Sequence, residues 1–155
     1  MQTVTALLAN LGAATGIALS SPVYATVSAL HILGIALLVG GIVLVDLRLV
    51  GLVRSLTVEA IVLLRRLAGT GAFMALATGV LLVSARPHDY IGNPAFLAKL
   101  AVVAMALANA ILFEAMTRRR PLADLLDRTS GRIAGALSLL LWPTAIGLGR
   151  WIAFV

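Results

Sequence analysis

The sequence predicts an all-α integral membrane four-helix bundle with an N-terminal interfacial helix, and three observations carry that reading. Hydrophobic residues make up 61% of the 155 residues and charged residues only 12%, against about half and about a quarter in soluble domains, which excludes a water-soluble globule. Four runs with few or no charges each reach the roughly 20 residues that a helix needs to cross a bilayer. The remaining charge is concentrated in the short segments between those runs. Length and composition give one transmembrane domain over 1–155, and the absence of cysteine removes a disulfide framework, thiolate metal sites and redox switching.

Residues 2–20 are apolar but lack the positive n-region of a signal peptide, and Gly12 and Gly16 interrupt them. They read as an external interfacial helix. The alternative is a cleaved signal peptide, since Ala25 and the small residues before it imitate a cleavage site. The first span runs over about 23–45, the second over about 67–85, the third over about 95–116 and the fourth over about 132–154. Lys99 and Glu114 fall near the two ends of the third span, where long side chains snorkel. Between the third and fourth spans, Leu122, Leu125 and Leu126 at helical spacing and an Asp124/Arg128 pair predict a short amphipathic turn on the cytoplasmic surface.

The charge distribution also orients the chain. Twelve Lys and Arg against six Asp and Glu give +6, but these charges cap apolar runs beside anionic headgroups, so the partner they imply is the lipid bilayer and not nucleic acid. Residues 46–66 hold Arg48, Arg54, Arg65 and Arg66, and residues 117–132 hold Arg118, Arg119, Arg120, Arg128 and Arg132, whereas the loop between the second and third spans holds only Arg86 before Lys99. The positive-inside rule places both Arg-rich segments in the cytoplasm and both termini outside.

Small residues mark the faces along which membrane helices approach closely. Gly71, Ala75 and Gly79 form such a ladder on the second span, Ala36 and Gly40 on the first, Ala104 and Ala108 on the third, and Gly131 and Gly135 on the fourth. They predict a compact bundle, and the same faces suit a homo-oligomer or a membrane protein partner. Tyr90 and Trp151 fall at external boundaries as aromatic anchors.

His31 is the histidine inside a predicted span, about eight residues or roughly 12 Å below the external surface. Ionisable groups at that depth mark function, and a neutral imidazole coordinates metal or haem iron; the alternative is a histidine satisfied by a neighbouring helix. Met74, Met105 and Trp142 reach a similar level, roughly 15 Å down, which allows a His/Met pocket for haem or Cu(I) as well as methionines that simply fill gaps. His88 and Asp89 in the loop ARPHDYIGNP read as an external metal or proton entry point, or as solvated loop residues. Asp46, Arg48 and Glu114 lie near one interface, as an ion-paired clamp or a proton relay, and Glu114 precedes Arg118 by a favourable four residues. Arg150 near the C-terminus snorkels or holds an anionic headgroup or quinone. No Walker loop, HExxH or GxSxG is present, so catalysis has no positive support. A polar transport path would draw only on Asn109, Glu114 and Asp46 in the inner half.

The runs HILGIALLVGGIVLVDLRLVGL (31–52), NPAFLAKL (93–100) and SLLLWPTAIGLGRWIAF (138–154) resemble a family of small bacterial four-helix membrane proteins of unknown function. The matching motifs are His31/Gly34, Asp46/Arg48 and Gly149/Arg150. The resemblance implies the fold and a bacterial inner-membrane location. A looser resemblance, to copper-resistance and b-type cytochrome membrane domains, implies haem b or copper. Relatives with a histidine near the end of the third helix differ from this chain, which has Phe113 and Glu114 there. Two functions follow as expectations: a non-enzymatic subunit or accessory protein, and a haem b or copper redox protein using His31 with Met74 or Met105.

Overall fold

The computed structural model describes residues 2–154. Among the described residues seven helices follow one another: α1 (Gln2–Ala14), α2 (Ser21–Leu49), α3 (Val58–Ala85), α4 (Pro87–Ile91), α5 (Pro94–Arg119), α6 (Leu122–Leu126) and α7 (Thr129–Trp151), which runs into a 3-10 turn over Ile152–Phe154. No strand occurs among the described residues. α2, α3, α5 and α7 with its extension are long and apolar enough to cross a membrane, so the chain is a multi-pass membrane protein built as a four-helix bundle.

Local chemistry sets the ends of these helices. Pro22 sits in the first turn of α2, where a missing N–H costs nothing, and Gly51 just beyond its end adopts φ +86°, the left-handed conformation that terminates helices. Thr57 caps α3 by accepting from the Ala60 N–H at 3.3 Å, and Asn93 caps α5 by accepting from the Phe96 N–H at 3.1 Å. Arg118 and Arg119 close the last turn of α5, where the dipole favours cations. Pro143 lies inside α7.

Three boundaries differ from the sequence expectation. α1 stops at Ala14 because Gly16 turns the chain at φ +70°. α2 runs on to Leu49, so Asp46 and Arg48 are intrahelical. α3 begins at Val58 and not near 67, since Arg65 finds partners on α5 and the helix has no need to exclude it.

The packing order is α3, α2, α7, α5, with each adjacent pair in close contact while the backbones of α3 and α5 stand apart. Glycines make the close approaches. A Cβ on Gly34 would lie 2.7 Å from the Ala75 nitrogen, one on Gly41 2.7 Å from the Leu64 carbonyl oxygen, and one on Gly71 2.6 Å from the Gly34 carbonyl oxygen. On α7, a Cβ on Gly135 would meet the Leu49 Cβ at 2.9 Å and the Asp46 carbonyl oxygen at 3.1 Å. α1 crosses the far end of α3 with Gly12 against the Ser84 carbonyl.

The ladders read from the sequence therefore divide into two kinds. Gly71/Ala75 and Gly131/Gly135 are consumed inside the bundle, and α2 answers with Gly34 and Gly41. Ala36, Gly40, Ala104 and Ala108 face outward instead, and nothing lies within 4 Å of a Cβ placed on Gly40.

Two apolar clusters fill the interior. Leu38, Ala68, Ala106 and Trp142 occupy the middle, and Val45, Leu49, Ile61, Phe113, Leu125, Leu126 and Ala134 occupy the end that carries most of the arginines. α6 is a short amphipathic turn with Asp124 exposed. Its Leu125 and Leu126 are buried and plug that Arg-rich end.

Candidate functional site

His31 and Asp46 of α2 lie along its contacts with neighbouring helices, and each is met there by a hydroxyl. On α3 the face Gly71, Ala75, Thr78 has spacings of four and three, and on α7 the face Gly131, Gly135, Ser138 repeats them. In both cases the small residues bring the backbones together and the hydroxyl one turn further on reaches α2. Thr78 meets His31, and Ser138 meets Asp46.

The His31 Nδ1 lies 3.0 Å from the Thr78 Oγ1, which is 2.6 Å from the Met74 carbonyl oxygen. A threonine hydroxyl has one proton, and the short approach to Met74 assigns it there, so Oγ1 accepts from Nδ1–H. The lone pair of the neutral ring then resides on Nε2. Gly79 lies beneath the ring, where a Cβ would be 3.2 Å from Cε1. Lys99 of α5 acts on it through charge, and its ammonium rests on Gly149 of α7, 3.1 Å from the position a Cβ would take there.

Asp46 is 2% exposed. The buried Ser138 hydroxyl adjoins it, while Oδ2 has no hydrogen-bond partner among the described residues. One turn from this pair, the Asn109 amide donates to the Ala134 carbonyl at 3.0 Å and ties α5 to α7. An intramembrane carboxyl with an unmatched oxygen is costly to keep, which marks it as a functional position.

The expected grouping of Asp46, Arg48 and Glu114 does not form. Glu114 pairs with Arg65 of α3, which also donates to the Thr117 hydroxyl at 3.3 Å and lies 5.2 Å over the Phe113 ring. The expected Glu114–Arg118 pair is present at 3.7 Å. Arg48 Nε is buried without a hydrogen-bond partner among the described residues. The clamp thus joins α5 to α3, not to α2.

The other candidates separate. Met74 contributes its carbonyl to the Thr78 chain. Met105 is 52% exposed on the outer surface of α5, away from His31, and Trp142 packs in the central cluster. Arg150 is exposed and stacks 5.1 Å over Phe154. His88 lines a shallow groove of about 410 Å3 with Thr5 and Ile91, where α1 meets α4. Tyr90 in α4 stacks on Phe96 at 5.3 Å; burial first, and then the adjoining Tyr24, push its phenol above the ordinary value.

For haem or copper the site offers one candidate ligand atom, the Nε2 of His31. Among the described residues no three His, Cys, Asp or Glu side chains gather as metal ligands. His31 has a cation in its field, Met105 is turned away, and Phe113 and Glu114 are engaged by Arg65.

Sequence reasoning missed Thr78, Ser138 and Arg65. The first two were legible as the residues that follow each glycine ladder at i+3. Arg65 is obscured in the sequence because an arginine marks the end of an apolar run. Comparison with family models, with curated proteins and with solved structures finds no match.

Proposed function

We propose that the chain is a multi-pass protein of the bacterial inner membrane with both termini external, α1 lying in the outer interface. It works as a non-enzymatic subunit or accessory protein that docks a partner helix or a second copy. The observation that carries this reading is the pair of small-residue ladders, Ala36/Gly40 and Ala104/Ala108, left on the outer surface. Because lipid does not drive helices together, faces that permit close approach are what membrane helices associate through. The Arg-rich ends of the spans support the orientation, and the resemblance of His31/Gly34, Asp46/Arg48 and Gly149/Arg150 to small bacterial four-helix proteins supports the location.

Gly40→Leu and Ala108→Leu test docking without touching the interior. Each variant is expected to stay folded by circular dichroism, and at least one is expected to lose the higher-mass species seen after chemical crosslinking in membranes. Unchanged crosslinking in both variants would sink the docking reading.

A second reading, haem b or copper on His31, draws on one observation, the Nε2 lone pair left by the Thr78 hydrogen bond. Absorption spectra of oxidised and dithionite-reduced protein, with metal analysis, separate the two. The accessory reading expects a colourless, metal-free sample from cells supplied with haem and copper. A Soret band or stoichiometric copper that disappears in His31→Ala would replace it.

A further inference from the structure

We propose that the seam between α3 and α5 holds one anionic phospholipid, its phosphate at Arg66 and an acyl chain in the slot below. α3 and α5 are the neighbouring spans whose backbones do not pack. Their Arg-rich mouth is bridged by Arg65, through Glu114, Thr117 and the Phe113 ring. Beside that bridge lies a cleft of about 220 Å3 lined by Val62, Arg65, Arg66 and Glu114, several times the roughly 30 Å3 share of a water molecule.

The charge in the cleft is unbalanced. Glu114 is shared between Arg65 and Arg118, and Arg66 has no acidic partner among the described residues. An occupant must therefore bring negative charge, and basic pockets between membrane helices take lipid phosphates in this way.

The shape below the mouth selects a chain-bearing anion. Val62, Arg66, Gly69, Phe73, Leu76 and Val80 follow one another at three- and four-residue steps and so share one face of α3, and all are exposed. Val62 to Val80 covers roughly 27 Å at 1.5 Å per residue, longer than the roughly 15 Å of half a hydrocarbon core. Arg65 and Glu114 are level with each other because they pair, so Gly69 and Ala110, each four residues deeper, are level too. Both are small and exposed, and nothing lies within 4 Å of a Cβ on Gly69. A slot thus opens one turn beneath the phosphate position.

This inference does not depend on the docking reading or on the orientation, because it is read in detergent. The purified full chain is titrated with dioleoyl phosphatidylglycerol or dioleoyl phosphatidylcholine, and retained lipid is counted by native mass spectrometry. One phosphatidylglycerol per chain is expected, retained in preference to phosphatidylcholine. Arg66→Gln is expected to weaken retention about fivefold, as the loss of about 1 kcal/mol per basic residue implies, and Gly69→Leu to weaken it by blocking the slot. Arg119→Gln, outside the cleft, is the folded charge control and retains lipid like the parent. Equal retention of the two lipids, or parent-like retention by both Arg66→Gln and Gly69→Leu, would overturn the site. Inorganic phosphate that displaces phosphatidylglycerol at equal concentration would overturn the acyl slot. Since the chain has no cysteine, Gly69→Cys offers a further check: a disulfide-linked dimer formed in membranes would place a second copy in the seam and overturn the lipid.

Discussion

Gly71→Leu is expected to abolish accumulation of folded protein, while Gly40→Leu, the same change on the opposite kind of face, leaves folding intact. A Cβ on Gly71 would collide with the Leu38 nitrogen and stand 2.6 Å from the Gly34 carbonyl oxygen. Both are backbone atoms of α2, which no rotamer change moves aside. Overpacking against movable side chains already costs about 1–3 kcal/mol, and here α2 and α3 must separate along Gly34, Leu38 and Gly41. Loss of that contact also withdraws Thr78 from His31. The check is detergent-solubilised yield with a monodisperse size-exclusion profile. A Gly71→Leu protein that elutes and melts like the parent would show that α2 and α3 are not held at the described distance.

Ser138→Ala is expected to destabilise the protein by about 1–3 kcal/mol, the cost of leaving a buried polar group without a partner, because the buried Asp46 carboxyl then loses the hydroxyl that faces it. In an Asp46→Val background the same serine change is expected to cost almost nothing. The coupling in this cycle measures the contact itself, and a value above about 1 kcal/mol would exceed the average of about 0.6 for hydrogen bonds between membrane helices. Asp46→Val alone is expected to be neutral or stabilising, as replacing buried charges by apolar groups often is. Reversible unfolding in mixed micelles reads all four proteins. Additive effects of the two substitutions would mean that Ser138 and Asp46 act separately.

The fold was legible because the bilayer imposes a length and a polarity that each span must show on its own. The four spans, their order and the small-residue faces follow from that constraint. What stayed hidden is pairwise. Gly34 and Gly40 look alike in a sequence, yet one meets Ala75 and the other meets nothing, because rotation of a helix about its axis is decided by the neighbour. Arg65 and Glu114 lie 49 residues apart, and no local pattern announces that one shortens the apparent length of α3 by belonging to the other. Met105 illustrates the limit of depth arithmetic: equal depth with His31 says nothing about which way a side chain points, and it points outward. Leu125 and Leu126 kept the expected helical spacing but turned inward as a plug.

The packing order also dictates how the protein is made. α2 and α3 are consecutive, and Gly34, Gly41 and Gly71 knit them into a hairpin from nearby stretches of chain, the kind of contact that forms fast. α7 leaves the ribosome after α2, α3 and α5 and inserts beside α2, which has waited through the synthesis of α5. Until it arrives, the Asp46 carboxyl lies in the first hairpin without Ser138, and the Leu49 surface lacks Gly135. Insertion of α7 is therefore the step that seals the early hairpin. A nascent chain stalled before Ser138 would carry Asp46 into the bilayer without the α7 face that covers it.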